Sequence, residues 1–430
     1  MSSLSRSCEP VELQGLASIM RQAFGGDNLS QITAGLTDRL QANYSDAGAL
    51  LDLSIVAQLN AKPELALQLQ SQALQLSQHY RVKSNAETRR SSSATSPGLK
   101  VLAIVGPGEI MANTPIEFLL EQSQVNLELL FLGEGLPAPL EIPDHDVAFV
   151  AVCQSDASAQ MLVLLDDVMK HWPRPFLNAP GCIAQLSRDN VSTKLTHIDG
   201  VITSDAHRLR RDEIADIAAT ACDLFPLIVR PVNSHAGQGL SKLDDGASAL
   251  TYLSTHHESE FFVAPFIDYR SSDGLYRKAR VCVVDGQPLA AHMAISHHWM
   301  VHYLNAEMLH SQQNRDEEAR FMATFEDQFA TKHQSALQEI DQRLGLDYYA
   351  LDCAESQDGR LVVFEIDSGA VVHSMDPVAI FPYKLPQMQR IFAAFEKMLV
   401  RTARGVPRTL PFPIAAETDQ TTAKPMSRFA

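Results

Sequence analysis

The chain has no long run of apolar residues and no pair of cysteines with the spacing CxxC. The first absence argues against a membrane-spanning helix. The second absence, with six cysteines scattered along 430 residues, argues against a zinc ribbon or a disulfide framework and favours a reducing compartment. The N-terminal residues also lack the apolar core of a signal peptide. We therefore expect a soluble, cytoplasmic protein with no membrane partner.

Basic residues are also scarce. The sequence holds 35 Lys and Arg against 51 Asp and Glu, which gives a formal charge of -16, and it has no run of basic residues. A nucleic-acid partner is therefore not expected, because such a partner requires a positively charged surface. An acidic chain that handles an anionic ligand must gather its few basic groups at one place, so each local cluster of Lys and Arg is informative.

The N-terminal residues 9–80 have a helical pattern. Between Pro63 and Tyr80 the apolar residues recur at intervals of three and four, and a short turn connects this helix to one over 46–59. Two antiparallel helices of this length resemble one tetratricopeptide-like unit, which cannot bury its own faces alone. A plain helical cap and a module that binds a peptide or protein partner remain alternatives.

The pattern downstream predicts a fold of mixed class, α/β and α+β. Strands that alternate with helices indicate a small domain with a parallel sheet, and strands joined by tight hairpins follow it. Two hairpins have an Asp-Gly turn, at 285–286 and 358–359. The expected divisions are a helical segment (1–82), a linker (83–98), an α/β domain (99–200), a domain of antiparallel sheets (201–407) and a disordered tail (408–430).

Three carboxylates fall on the second hairpin. If its Asp-Gly pair forms a two-residue turn, residues whose numbers add up to 717 face each other. Asp352 then lies opposite Glu365, and Asp367 lies on the same face. Like charges directly opposite one another destabilise a sheet, so a cation is expected between them. Oxygen ligands with no His or Cys nearby suit Mg²⁺, and a solvent-facing acidic strand is the alternative.

Basic and small residues accompany this hairpin. Arg230 ends an apolar strand, and the small-residue loop 234–239 that follows allows backbone N–H groups to approach a phosphate closely. Arg277, Lys278 and Arg280 form a dense cluster in which the last two share one face of a strand, as a phosphate or carboxylate clamp requires. Each feature alone is weak, and their order along the chain carries the inference.

Taken together, these segments resemble an ATP-grasp domain. The similarity lies in PLIVRP, the small-residue loop, FFVAPFID, YRKARVCVVDG and LDYYALDCAESQDGRLVVFEID, and covers roughly residues 176–400. Residues 99–175 resemble the α/β domain that precedes it in enzymes such as glutathione synthetase, D-alanine–D-alanine ligase and the ribosomal-protein glutamate ligase. The order of segments also resembles that of proteins in which a tetratricopeptide-like segment precedes such a domain.

The resemblance implies ATP and Mg²⁺ as cofactors and assigns roles to individual residues. The magnesium ligands would be Asp352, Glu365 and Asp367. Lys278 and Arg280 would act in catalysis, with Arg280 at the γ-phosphate or acyl phosphate. The nucleotide would contact Arg188, Arg230, Ser234, His235, Gly237, Gly239, Ala264, Phe266 and Ile267. We expect the substrate to contact Arg277, His298, His302 and Asn305.

Some of these positions allow other interpretations. His298 and His302 have the i, i+4 spacing of a metal pair on a helix, but no third ligand is evident, and substrate lining or ordinary packing is preferred to zinc. The family usually has Lys at Arg188 and Arg230, Asn at Asp367, and Glu where this chain has Ala264-Pro265. Because of these departures, an inactive relative of the family remains an alternative.

The activity implied is an ATP-dependent ligase that joins a carboxylate to an amine through an acyl phosphate and releases ADP and phosphate. Two alternatives stay open. One is a ligase that modifies a peptide or protein and captures it with the N-terminal helices. The other is a non-catalytic adaptor that binds ATP. A homodimer is also left open.

Overall fold

The computed structural model describes residues 9–26, 29–83, 98–139, 141–232, 234 and 237–408. Nearly all of the predicted linker and of the predicted C-terminal tail lies outside these residues. Within the described part of the chain, no helix is both long enough and apolar enough to cross a bilayer.

The first sheet has six strands in the order β1-β2-β4-β3-β5-β6. They are β1 (Val11–Leu13), β2 (His79–Val82), β3 (Lys100–Val105), β4 (Asn126–Phe131), β5 (Val147–Val150) and β6 (Phe176–Leu177). Strand β3 pairs in parallel with β4 and β5, and β5 pairs in parallel with β6, as predicted from the alternating pattern. The apolar run of β3 is buried because helices cover both faces of such a sheet.

The other two sheets are largely antiparallel, which confirms the predicted fold class. The second has the order β10-β9-β11-β8 and the third the order β13-β12-β14-β15-β7. Their strands are β7 (Val201–Thr203), β8 (His207–Arg210), β9 (Leu227–Pro231), β10 (Ser241–Leu243), β11 (Glu260–Pro265), β12 (Tyr276–Val284), β13 (Gln287–Ser296), β14 (Tyr348–Glu355) and β15 (Leu361–Asp367). The second sheet has a small core of its own, whereas the third shares a core with the first.

Thirteen α-helices lie among the described residues. They are α1 (Leu16–Phe24), α2 (Leu29–Ala42), α3 (Ala47–Leu59), α4 (Pro63–Leu76), α5 (Ile116–Leu120), α6 (Ala159–Met169), α7 (Pro180–Ile183), α8 (Arg188–Leu195), α9 (Arg211–Thr220), α10 (Gly246–Thr255), α11 (Gln312–Ala323), α12 (Gln334–Leu344) and α13 (Lys384–Ala403). The long helix α13, which was not predicted from the sequence, joins two sheets. Its Phe395 ring lies 5.4 Å from that of Phe149 on β5 and 5.2 Å from that of Tyr348 on β14.

The N-terminal segment differs from the prediction in one respect. The two predicted helices are present as α3 and α4, but the segment also contributes β1 and β2 to the first sheet. Tyr80, which continued the helical spacing in the sequence, lies on β2, where it is buried and donates a hydrogen bond to the carbonyl of Ala73 at 3.0 Å. A local spacing of three and four cannot distinguish this strand from a last helical turn. The segment is therefore part of the sheet and not a purely helical unit.

Two buried carboxylates hold the start of α1. Asp52 accepts hydrogen bonds from the backbone N–H groups of Gln14 and Gly15, both at 3.0 Å, and Glu117 accepts one from Ala17 at 3.1 Å. Burial raises the pKa of Asp52 to about 6 and that of Glu117 to about 7. In both groups burial therefore disfavours the ionised form of the carboxyl group in the folded protein.

We expect this burial to make stability depend on pH. A folded pKa above the ordinary value of 3.8 means that ionising Asp52 costs more in the folded state, so stability is lost as the pH rises toward about 6. The variant Asp52→Asn lacks this titration. The free energy of unfolding of Asp52→Asn, relative to that of the wild type, should increase by up to about 3 kcal/mol as the pH rises from acidic to neutral. Urea denaturation across this range measures the difference, and a difference that does not change with pH would contradict the assignment.

Candidate functional site

The carboxylate hairpin pairs Asp352 with Glu365, as the sequence predicted, but by another route. Its turn has three residues and not two, because the Ser356 N–H donates to the carbonyl of Arg360 at 3.0 Å, and Gly359 takes a left-handed conformation with φ 81°. The residue pairs next to the turn are therefore shifted by one residue from the predicted pairs. A β-bulge at Phe364 inserts one extra residue in β15, so Asp352 and Glu365 face each other as predicted.

The paired residues belong to a row of polar side chains across four strands. His292 on β13 lies opposite Arg280 on β12, which lies opposite Asp352 on β14 and, beyond it, Glu365 on β15. A second bulge, in β13, falls beside the same row, between the pairs of Arg280 and Val281. Burial, followed by the charge of Arg280, holds the pKa of His292 well below its usual value, so this histidine is neutral at pH 7.

Asp352 is held by two cations. The Arg280 Nε and Nη2 atoms donate to its two oxygens at 2.7 and 3.1 Å, and the Lys278 Nζ atom lies 2.8 Å from Oδ2. Burial alone would raise the pKa of Asp352, but the charges of Arg280 and Lys278 outweigh this effect and hold it well below its usual value. The carboxylate is therefore ionised, with both oxygens in ion pairs.

Glu365 and Asp367 have fewer positive partners. Glu365 accepts a short hydrogen bond from Arg188, the first residue of α8. Burial, and next to it the charge of Glu365, raises the pKa of Asp367, whose side chain accepts a hydrogen bond from the Gly369 N–H at 2.7 Å. Within the described ranges, Asp367 has no ion pair with a Lys or Arg side chain. A buried carboxylate beside a second carboxylate and without such a pair leaves room for a cation.

The predicted magnesium triad therefore fits in part. Among the described residues no three His, Cys, Asp or Glu side chains lie close enough together to hold a metal ion. Glu365 and Asp367 are carboxylates on one face, and Mg²⁺ typically takes one or two carboxylates together with phosphate oxygens. These two residues fit that ion. Asp352 does not fit it in this arrangement, because Arg280 and Lys278 occupy both of its oxygens.

Two adjoining cavities lie between the second and third sheets. One, of about 880 Å³, has a mainly apolar lining that includes Ile228, Ala264, Pro265, Phe266, Ile267, Trp299, Met300 and Val301, together with Arg230 and Lys278. The other, of about 930 Å³, reaches Gln154, Ser155, Ser204, Ser234 and Asp367. Arg188 and Glu365 line both cavities and mark where they meet. Together they form one cleft with an apolar arm and a polar arm.

Most of the residues predicted to bind nucleotide line this cleft. Ala264, Phe266 and Ile267 contribute to the apolar arm, and Ser234 to the polar arm. Arg230 is buried and donates to the side-chain and backbone oxygens of Ser234, the first of these at 3.1 Å. Burial, followed by the charge of Arg188, lowers the pKa of Arg230 to about 10.

The end of the small-residue loop is anchored by its backbone. Gly237 and Gly239 both have positive φ, and a Cβ atom at Gly239 would lie 2.6 Å from the ring of Pro231. The Tyr252 hydroxyl donates to the Gly239 carbonyl at 2.7 Å. The predicted contact of His235 with the nucleotide lies outside the described residues.

Arg277 was predicted to contact substrate as part of the cluster with Lys278 and Arg280, but it lies on the other face of β12 from these two residues and does not line the cleft. Its guanidinium pairs with Asp273 at 2.7 Å and with Glu317 at 2.5 Å, in a groove on the far side of the sheet. Side chains alternate across a strand, so adjacent basic residues cannot all point into one cleft. The dense cluster in the sequence is divided between the two faces.

The segment that carries His298 and His302 is not helical, which removes the basis for a metal pair at helical spacing. His298 is exposed and its Nδ1 atom accepts a hydrogen bond from the Met300 N–H at 3.1 Å. The Asn305 side chain accepts from the His302 N–H at 2.9 Å and donates to the Met300 carbonyl, so its amide holds the loop, and its contact with a substrate stays a prediction. The residues between the two histidines, Trp299–Val301, line the cleft.

The sequence patterns missed one basic residue beside the apolar arm of the cleft. Lys242 on β10 lies over the Phe266 ring, 4.6 Å from its centroid, and pairs with Asp244 at 2.7 Å. The Trp299 ring meets that of Phe266 edge to face at 5.9 Å. Trp299 lies between His298 and His302, in the segment for which substrate lining was preferred. Lys242 belongs to no periodic pattern or motif, so only the packing of β10 brings it beside the cleft.

No family model and no curated protein matches the chain. Among solved structures it is similar to D-alanine–D-alanine ligase from Bacillus anthracis complexed with ATP, at 15% identity over 72% of this chain and 98% of that one, with a TM-score of 0.44. It is also similar to an ATP-grasp RimK domain protein from Sphaerobacter thermophilus (15%, 70% and 99%, TM-score 0.40) and to D-alanyl-alanine synthetase A from Vibrio cholerae (10%, 72% and 100%, TM-score 0.45). At these values the similarity carries no inference about activity, which rests on the chain's own residues.

Proposed function

We propose that the chain is an ATP-dependent ligase that joins a carboxylate to an amine through an acyl phosphate. The observation that carries this proposal is the two-armed cleft, in which an apolar arm and a polar arm meet at Arg188 and Glu365, with Asp367 in the polar arm. The sequence resemblance to ATP-grasp enzymes supports the same reading.

The two arms suit the two ends of a nucleotide. An apolar pocket with a few polar groups is the usual site for a planar base, and Phe266 and Trp299 supply aromatic surface there. Arg188, Arg230 and Lys278 bring positive charge to the inner part of this arm, where phosphates would lie. Among the described residues that line this arm, Glu365 is the one acidic group, and it pairs with Arg188.

The chemistry follows from charge placement. A substrate carboxylate oxygen attacks the γ-phosphorus of ATP, the bond to the β-phosphate oxygen breaks, and ADP leaves. The amine nitrogen then attacks the acyl carbon, loses a proton and displaces inorganic phosphate. Lys278 and Arg280, held in place by Asp352, supply fixed positive charge for the transferred group. When bound at Glu365 and Asp367, Mg²⁺ would neutralise phosphate oxygens.

A non-catalytic ATP-binding adaptor is the second candidate. The observation that favours it is the engagement of Asp352 by two cations, which leaves two carboxylates for a metal ion. Calorimetry with ATP, with and without Mg²⁺, followed by an ADP-release assay over mixtures of carboxylates and amines, separates the two. Release of ADP that depends on both substrates supports the ligase, binding without release supports the adaptor, and the absence of ATP binding contradicts both.

The placement of Arg277 gives a prediction for the same assay. Because Arg277 lies on the far face of β12, Arg277→Met should change the affinity for MgATP by no more than about twofold. Arg280→Met, two residues along the same strand, should weaken it clearly. Calorimetry on both variants measures this. Equal losses would show that the two arginines act on one site.

A further inference from the structure

The loop 368–376, which begins directly after Asp367, is attached to the carboxylate site by its first residues. The Gly369 N–H donates to Asp367 Oδ1 at 2.7 Å, and the Ser368 carbonyl accepts from the Thr114 hydroxyl at 2.9 Å. A Cβ atom at Gly369 would lie 2.6 Å from the Cys153 sulfur, so the backbone is pressed against β5's continuation. The direction of the Asp367 side chain therefore depends on where this loop lies.

The outer side of the 368–376 loop is covered by the N-terminal segment. The Arg21 Nη2 atom on α1 donates to the Ser374 hydroxyl at 3.2 Å. The same guanidinium forms a two-point ion pair with Glu121, just after α5, with both contacts at 2.5 Å. Apolar contacts surround this polar link: Leu16, Ala17 and Phe118 form a small core against which Val371 and Met375 pack.

The geometry makes this a firm attachment. The Glu121 side chain is 11% exposed, and a two-point pair between Arg and a carboxylate is among the stronger polar contacts because both parallel hydrogen bonds are charge-assisted. Asp52 and Glu117 hold the other end of α1, as described above. A displaced Arg21 would therefore release Ser374 while the remainder of α1 stays docked.

We propose that Arg21 is a positioning residue of the carboxylate site, because through Ser374 and Glu121 it fixes the 368–376 loop and with it the Gly369 N–H that orients Asp367. The proposal rests on the proposed function as far as the site's ligand is concerned. It gives the N-terminal segment a role in the site without direct contact, because α1 acts on Asp367 through the 368–376 loop.

The test combines two measurements on the full chain. In Arg21→Met, we expect hydrogen exchange of the amides of 369–376 to become faster in the ligand-free protein, and the dissociation constant for MgATP to rise by about tenfold, the usual effect of losing support behind a metal ligand. Ser374→Ala removes only the distal contact and should give a smaller change of the same kind. It also keeps the test decisive if Arg21→Met does not fold.

Arg81→Met is the matched control. The Arg81 Nε and Nη2 atoms both donate to Glu128 Oε1 between β2 and β4, in the same segment but away from the 368–376 loop, and the loss of this ion pair should leave both measurements unchanged. Unchanged exchange in Arg21→Met and Ser374→Ala overturns the proposal, and so does faster exchange with unaltered MgATP affinity. If the wild type binds no MgATP, the proposed function fails, while faster exchange confined to 369–376 still supports the attachment of the loop by Arg21.

Discussion

Replacing Glu365 with glutamine is expected to weaken the binding of MgATP by about tenfold or more and to slow ADP release by about 100-fold. Glu365 stands where the two arms of the cleft meet, with Asp367 on the same face of β15. Glutamine keeps the size of the side chain and an oxygen for Arg188, but it removes the charge that would attract a divalent cation. Calorimetry and an ADP-release assay measure the two effects.

Glu355→Gln is the control for this prediction. Glu355 lies on the same hairpin but lines the groove on the far side of the sheet, where it pairs with Lys332 at 2.6 Å. Its replacement should leave MgATP affinity unchanged. If Glu365→Gln binds MgATP as tightly as the wild type does, Glu365 is not part of the nucleotide site, and the assignment of the cleft is wrong.

Asp352→Asn is expected to lower the free energy of unfolding by about 3 kcal/mol, because it removes the counter-charge of two largely buried cations. Asp352 is 8% exposed, and the side chains of Lys278 and Arg280 are 24% and 25% exposed. Each cation would then remain partly desolvated without its partner, which is the costly way to break such a cluster. Urea denaturation at neutral pH measures the loss.

Two further variants test the predicted loss of stability in Asp352→Asn. Asp358→Asn removes an ion pair with Arg360 at the exposed turn of the same hairpin and should leave the unfolding midpoint unchanged. The double variant Asp352→Asn/Arg280→Met should be more stable than Asp352→Asn alone, because one of the unpaired cations is gone. Full stability of Asp352→Asn would show that the three charges are solvated more than their burial indicates.

Much of the architecture was predictable from local patterns. The apolar run of β3, the Asp-Gly turn after β12 and the left-handed Gly345 that ends α12 each depend on a few neighbouring residues. The strands β1 and β2 were not predicted, because they are short and pair with strands distant in sequence, and no local periodicity of apolar residues indicates them. By contrast, α13 does carry a local pattern that the prediction overlooked, because its buried residues Met388, Ile391, Phe392, Phe395, Met398 and Leu399 recur at intervals of three and four.

The site was predictable in its residues but not in its contacts. Strand alternation correctly placed Lys278 and Arg280 together, and the same rule, applied to Arg277, would have separated it from them. The spacing of His298 and His302 suggested a helix, but spacing alone does not supply the backbone hydrogen bonds that a helix needs. The link from Arg21 to Ser374 spans most of the chain, and no pattern within either segment could reveal it.

The bulge at Phe364 has a consequence for changes in chain length. If β15 kept its sequence but paired regularly from the three-residue turn, Phe364 would stand opposite Asp352 and both Glu365 and Asp367 would face away from the cleft. The bulge takes up the one extra residue of β15 between the turn and Glu365, so the pairing of Asp352 with Glu365 is kept. A hairpin shortened by one residue at its tip could therefore lose the bulge and still present the same acidic pair, whereas lengthening it would require a second irregularity. The tip can thus be shortened by one residue without moving Glu365 and Asp367 to the other face of the sheet.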